Sequence, residues 1–160
     1  MQNFQYNKIV IITKRQRLQK GVGDMTQLLA DRLRERGISP TQQRLAVYKY
    51  LLEHRTHPTA DTVYTALAAE YPTMSRTTVY NTMRALFRAG LLRIVTIDAE
   101  EQHFDADTAD HGHFRCTNCG ELFDFTLPTD VAKRLSPNGY HTDIFDVYAT
   151  GVCPHCQSKQ

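Results

Sequence analysis

A chain of 160 residues has room for one ordinary domain or two small ones, each with a modest core. Its 41% hydrophobic and 22% charged content is that of a globular protein, and its longest aliphatic run, Ile9 to Ile12, is far too short to span a bilayer. The net charge of +2 hides an asymmetry: residues 1–101 carry 15 Lys/Arg against 9 Asp/Glu, whereas residues 102–160 carry 4 against 8, so the first part suits a polyanion and the second suits cations.

The Ile9–Ile12 run is flanked by Lys8 and Lys14 but lacks a proper apolar core and a small-residue cleavage site. Residues 1–24 therefore read as an N-terminal extension rather than a signal peptide, and the cytoplasm is the expected compartment. Met25 opens a well-patterned helix and is an alternative start; an ordered N-terminal arm is the competing view. The helix "TQLLADRLRERG" turns Leu28, Leu29 and Leu33 inward and stops at Gly37. In "SPTQ", Ser39 is the expected N-cap, Pro40 the first helical residue and Gln42 the partner in a capping box; Leu45, Tyr48, Leu51 and Leu52 follow at helical spacing. A third helix starts after Pro58 and ends before Pro72. A fourth begins after the cap Ser75, with Met74 and Val79 as a hydrophobic staple and Gly90 as the stop.

Helices three and four, joined by "PTM", make a helix-turn-helix. Bundled helices without DNA affinity share that pattern; the basic charge of this half favours DNA. The β-like runs "LLRIVTI" and "EQHFDA" flank the acidic turn "DAEE" and read as the wing of a winged helix. Beyond residue 110, "HFRCT" and "ELFDF" read as strands about the "NCG" turn, "TDVAKRL" as a short helix, and "YHTDIFDVYATGVC" as one long strand. The expected fold class is α+β: a winged-helix DNA-binding domain over 25–101, a hinge over 102–110, and a small α/β dimerisation domain over 111–160. That second domain falls below the size, roughly 70 residues, at which a core usually suffices without staples.

Two CxxC pairs, Cys116/Cys119 and Cys153/Cys156, supply the staple. Four thiolates close a tetrahedral Zn2+ site with no open position, so this reads as structural zinc. Two rivals fail. A thiol oxidoreductase would use "CPHC" with its first cysteine at a helix N-terminus, and with only four residues after Cys156 no helix is expected there. A zinc deaminase needs His-x-Glu and Pro-Cys-x-x-Cys, and the chain has neither. His111 and His113, two apart on a strand, share a face; with Asp105 and Asp124 they form a nitrogen/oxygen set suited to Fe2+, Mn2+ or Zn2+. Each alone reads as a surface residue, whereas the set reads as a ligand cluster.

The stretches "GISPTQQR", "HPTADTVY", "SRTTVYNTMRAL", "HFD", "HGHFRCTNCGELFDF" and "GVCPHC" together resemble the ferric uptake regulator (Fur) family, and within it the peroxide-sensing, PerR-like branch, over about Thr26 to Gln157. The resemblance implies a regulatory Fe2+ or Mn2+ site made of His57, Asp105, His111, His113 and Asp124, joining the two domains. It implies a homodimer that binds a palindromic, AT-rich operator in double-stranded DNA and represses while metal is bound. His57 and His111 are then the imidazoles that peroxide oxidises, and no catalytic residue is implied. On the fourth helix Tyr80 and Asn81 match base-reading positions, Arg76 and Arg84 fall to phosphates, and Thr77 and Thr78 lie alongside; Arg32 and Arg44 are further phosphate candidates. The further metal site of many iron sensors is not expected, because "DHGH" replaces "HHDH" and Phe145 stands where a histidine aligns, although His141 and Asp143 lie near. His103 and His155 receive no role.

Three functions follow for comparison. The leading one is a metal-dependent repressor that senses hydrogen peroxide by iron-catalysed oxidation of its own histidines. The second is an iron- or manganese-responsive repressor of the same family. The third, of another class, is a metalloenzyme or thiol redox protein.

Overall fold

A computed structural model describes residues 22–98, 100–142 and 144–159, with backbone alone at 22–24. The expected extension therefore lies almost wholly outside the described residues. Helix α1 (Val22–Glu35) starts three residues ahead of Met25. It is followed by α2 (Gln42–Glu53), α3 (Ala60–Leu67) and α4 (Arg76–Arg88). A two-stranded antiparallel wing, β1 (Arg93–Val95) with β2 (His103–Asp105), completes the first unit. Its second strand occupies part of the stretch expected to be a hinge.

Each helix starts where a side chain caps it. The Thr41, Thr59 and Ser75 hydroxyls accept from the backbone N–H of Arg44, Thr62 and Thr78, satisfying donors that the first turn leaves unpaired. The cap of α2 is thus Thr41, not the expected Ser39. Ile38 is buried and its N–H closes the end of α1 on the Leu33 carbonyl; the Thr41 hydroxyl, accepting from the Arg44 N–H, is the cap that forms. Gly37 and Gly90, with φ of 72° and 68°, end α1 and α4 in the left-handed conformation that glycine adopts without a Cβ penalty. In both, the next residue's N–H reaches back five residues, Ile38 to Leu33 and Leu91 to Leu86.

The core of this unit holds Leu29, Leu33, Val47, Tyr48, Leu51, Val63, Val79, Met83, Leu86 and Phe104. Three expectations are corrected. Leu28 is 48% exposed, because the α1 stripe that faces α2 runs through Leu29, Ala30 and Leu33. In α2, Ala46 and Val47 are buried, while Leu45 and Leu52 pack only on the rim. Helix α3 stops at Leu67 and the chain turns before Pro72.

The second unit is a three-stranded sheet in the order β4–β3–β5. Strand β3 (Gly112–Cys116) pairs antiparallel with β4 (Leu122–Phe125) and parallel with β5 (Val147–Gly151). A parallel pair needs a crossover, and the segment carrying α5 (Val131–Leu135) supplies it. The last strand is therefore five residues, not the long strand expected. Gly112 sits opposite Phe125, and a Cβ there would overlap the Phe125 ring, which gives glycine a packing reason between two histidines. After Cys153 a single turn, α6 (Pro154–Gln157), does form, contrary to expectation: Pro154 pre-sets the first helical φ, and the N–H groups of Gln157 and Ser158 close on the carbonyls of Cys153 and Pro154. Among the described residues no helix is long and apolar enough to cross a membrane.

Candidate metal centres and nucleic-acid face

Parallel pairing sets Cys116 beside Gly151, and the Thr117 N–H donates to the Gly151 carbonyl at 2.7 Å. Cys153 lies two residues beyond, and the turn that follows β3 returns Cys119 to the same place. The four Sγ atoms of Cys116, Cys119, Cys153 and Cys156 all lie within 4.8 Å of one another, and all four thiols are free. Cys116 and Cys153 are buried. The backbone N–H of Cys153, 3.3 Å from the Cys116 sulfur, pulls that thiol down to about 6, whereas the neighbouring Cys153 sulfur and burial push Cys156 up to about 12. Four clustered thiols cannot all ionise on their own; a tetrahedral dication removes that conflict. Although Cys153 caps α6 as an oxidoreductase cysteine would, its nearest neighbours are three sulfurs rather than one.

The second cluster joins the two units. His57 comes from the loop between α2 and α3, Asp105 ends β2, His111 and His113 flank Gly112, and Asp124 lies on β4. Register places Asp124 directly opposite His113, so their side chains share a face. His57 Nε2 is 2.8 Å from Asp124 Oδ1, His111 Nε2 is 3.0 Å from both His113 Nε2 and Asp105 Oδ2, and His113 Nε2 is 3.7 Å from Asp105 Oδ2. Ligand atoms of His57, His111, His113 and Asp124 lie within 4.8 Å of one another, with Asp105 alongside. His57, Asp105 and His113 are buried, and Asp124 forms the solvent side at 40% side-chain exposure.

These donors crowd together with few hydrogen bonds of good geometry among them, His111 Nε2 to His113 Nε2 being one. Both ring nitrogens of His57, Asp105 Oδ2 and His113 Nδ1 are buried with no hydrogen-bond partner, although some neighbours stand at hydrogen-bonding distance. Buried polar atoms ordinarily find partners. Atoms that share an ion at about 2.1 Å stand about 3 Å apart at adjacent octahedral corners, which is the spacing here. His111 Nδ1 lies 2.9 Å from the Ala109 carbonyl, so Nδ1 carries the proton and Nε2 offers its lone pair inward. Burial holds His57 below the usual histidine range. The Asp105 carboxylate holds His111 above it. For Asp105 itself burial acts upward, but the His111 and His113 imidazoles and the Asp107 N–H prevail and leave it far below the usual carboxylate range. The residues present fit a divalent ion with nitrogen and oxygen donors.

On α4, Arg76, Thr77, Tyr80, Asn81 and Arg84 are exposed, while Val79, Thr82, Met83 and Leu86 face inward. Thr78 is half-buried and its hydroxyl lies 2.9 Å from the Ser75 cap, so it belongs to the helix start as much as to the outer face. Arg76 pairs with Asp61 of α3 and lies 4.7 Å over the Tyr64 ring, and Arg84 lies 5.7 Å over Tyr80. Arg44 reaches back to the Ser39 carbonyl and Arg32 is half-buried on α1. Asp143 is outside the described residues, so the variant site near His141 is not defined.

Sequence reasoning gave no role to the polar ties between the wing and the sheet. Arg93 of β1 donates to Asp146 at 2.9 Å and to the Phe145 carbonyl; Arg115 of β3 donates to Asp98 at 2.7 Å; the Thr96 N–H donates to the Tyr148 hydroxyl at 3.2 Å. His103 also gained a partner, the His57 carbonyl at 2.7 Å. These contacts are long-range and leave no local pattern.

A sequence profile described as the ferric uptake regulator family matches residues 35–147. The peroxide operon regulator of Bacillus subtilis (strain 168) is 37% identical over 131 residues, covering 80% of this chain and 90% of its own. The peroxide-responsive repressor PerR of Staphylococcus aureus (strain Mu50) is 36% identical over 132 residues, covering 79% and 88%. Among solved structures, the ferric uptake regulator of Helicobacter pylori superposes with a TM-score of 0.66 at 17% identity over 86% of this chain and 95% of that one. That of Pseudomonas aeruginosa, solved with manganese, gives 0.65 at 24% identity over 78% and 96%. The structural likeness speaks for the fold, and the profile and the sequence relatives speak for descent: the chain belongs to the ferric uptake regulator family.

Proposed function

We propose that this protein is a metal-dependent, DNA-binding transcriptional repressor that responds to hydrogen peroxide, and not an enzyme. One observation carries the reading: His57, from the unit bearing the helix-turn-helix, converges with His111, His113 and Asp124 of the sheet. An ion bound to all of them ties the two units together, and a ligand that binds only the closed arrangement shifts the population toward it. The peroxide response rests on the relatives named for it at 36–37% identity.

The Cys116, Cys119, Cys153 and Cys156 set holds structural Zn2+. The His57, Asp105, His111, His113 and Asp124 set holds Fe2+ or Mn2+. The protein acts in the cytoplasm as a homodimer, for which the exposed apolar residues Phe123, Leu135, Tyr140 and Ile144 offer a surface. Closed, the dimer presents two α4 helices to a palindromic, AT-rich operator whose half-sites lie about 34 Å apart. The winged-helix and dimerisation domains serve as drawn from the sequence; the hinge drawn over 102–110 shortens to about 106–110, because β2 takes His103–Asp105.

Held by His57, Asp105, His111, His113 and Asp124, Fe2+ would supply the one-electron chemistry toward peroxide that Mn2+ would not. Summed over the reaction, one peroxide gives an oxygen atom to an imidazole carbon and leaves as water; the ring loses two electrons and peroxide gains them. The family resemblance singles out His57 and His111 as the oxidised rings; an oxidised ring is a poorer ligand, so the two units part. The test is a brief peroxide pulse on Fe2+- and Mn2+-loaded dimer, followed by peptide mass spectrometry and operator binding. One added oxygen on the His57 or His111 peptide with loss of binding, in the iron form only, is expected. Unmodified histidines with intact iron-form binding would leave an iron- or manganese-responsive repressor instead.

A further inference from the structure

His57 is the single non-glycine residue among those described whose φ is positive, at 52°. Side chains other than glycine rarely adopt that region, and they do so where surrounding contacts hold them. At His57 the contact is specific. The His103 ring places Nδ1 at 2.7 Å from the His57 carbonyl, and the Phe104 N–H donates to the next carbonyl, that of Pro58, at 3.2 Å. A carbonyl only accepts, so His103 Nδ1 carries the proton. The other nitrogen of His103 faces Asp98 Oδ2 at 3.9 Å, and Asp98 also accepts from Arg115 at 2.7 Å. Arg115 is on β3, two residues beyond His113. A continuous set of side chains thus runs from the backbone of one member of the cluster, through the wing, to the strand that carries another.

We propose that His103 is a positioning residue for the regulatory metal site: its Nδ1–H holds the left-handed backbone of His57 so that the His57 imidazole points among His111, His113 and Asp124. The alternative conformation open to a histidine is extended or right-handed, and either would swing the ring away from the other donors. Holding the carbonyl therefore fixes the ring without touching the ion. This inference rests on the reading of the cluster as a metal site.

The test uses zinc-loaded dimer and Mn2+ as the probe. His103→Leu fills the space without a donor; His103→Asn keeps an N–H at the place of Nδ1. Removing groups that orient ligands typically costs 10- to 100-fold in metal affinity. The expected result is that His103→Leu weakens Mn2+ binding about tenfold or more, while its zinc content, dimer and metal-free Tm match wild type, and that His103→Asn restores binding to within a few-fold. Wild-type affinity in His103→Leu would overturn the proposal, as would His103→Asn binding as weakly as a folded His103→Leu. If His103→Leu does not fold, His103→Asn decides: near wild-type Mn2+ affinity supports the role, and a loss like that of a cavity variant, His103→Ala, overturns it. Wild-type dimer that takes up no Mn2+ beyond its zinc would remove the metal-site reading and this proposal with it.

Discussion

Asp124 Oδ1 stands 2.8 Å from His57 Nε2, so a side chain of the β-sheet meets one from the loop that opens the helix-turn-helix. Asp124 is the exposed member of its cluster and His57 a buried one. Removing Asp124 thus takes away a donor without opening a cavity. Asp124→Ala should lower Mn2+ affinity at least about tenfold, with zinc content unchanged. Isothermal titration of zinc-loaded protein measures it; unchanged affinity would place the ion elsewhere.

Cys116 is buried at the end of β3 and receives the Cys153 N–H. Cys116→Ser should lose one zinc per chain. Structural zinc contributes on the order of 10 kcal/mol of apparent binding free energy, which is folding free energy in so small a unit. Metal analysis and thermal unfolding should show loss of both zinc and the dimer. A folded dimer with full zinc content would contradict the assignment.

In the proposed complex the exposed residues of α4 separate by what they would contact. Tyr80→Ala and Asn81→Ala should each cost about 1–3 kcal/mol on the preferred operator and relax its sequence preference. Arg84→Ala should weaken all sequences alike and reduce the slope of log K against log salt by about 0.9, one phosphate's worth. Binding isotherms on operator and random DNA across a salt series distinguish the two patterns.

His111 is held above its ordinary value of 6.5 by the Asp105 carboxylate, so the metal-free site keeps its proton to higher pH than a free imidazole does, and an ion must displace it. Metal affinity should therefore rise with pH from below 6.5 through the folded value of His111, then level off. In the metal-free protein the sign is opposite. The raised value stabilises the fold fully below 6.5, and that stability is lost as pH rises through the folded value. His57, held below its ordinary value, works the other way, costing stability as pH falls under 6.5. Mn2+ titrations at several pH values check the first trend, and His111→Gln should flatten it.

Arg93 is largely buried between wing and sheet, donating to the Ala109 and Phe145 carbonyls and to Asp146. Bonds to charged groups contribute about 1.5–3 kcal/mol. Arg93→Met should loosen the wing from the sheet by an amount in that range, raising hydrogen exchange in β1 and β2 of the metal-loaded protein while leaving zinc bound. Unaltered exchange would mean that the metal cluster and the remaining ties, Arg115 to Asp98 and Thr96 to Tyr148, hold the units without Arg93.

The sequence by itself determined what is local. Turn glycines, caps and apolar spacing set the helices, the two CxxC pairs set paired sulfurs on tight turns, and alternation through the start of β3 set His111, just ahead of the strand, and His113 on one face. It misjudged the elements where two local solutions compete: Ser39 against Thr41 as cap, and Leu28 against Ala30 on the buried stripe, were decided by where Ile38 and α2 pack. Position 57 had no local signal of its own and was singled out only through the family resemblance. Tertiary structure alone decided how distant donors meet. The parallel pairing of β3 with β5 sets Cys153 against Cys116, and the antiparallel pairing with β4 sets Asp124 opposite His113. Contact of the wing with the sheet gave His103, Arg93 and Arg115 their partners. The reason is that a ligand set or a polar tie is a relation between segments far apart in the chain, fixed by strand register and domain packing, and neither is written in the spacing of neighbouring residues.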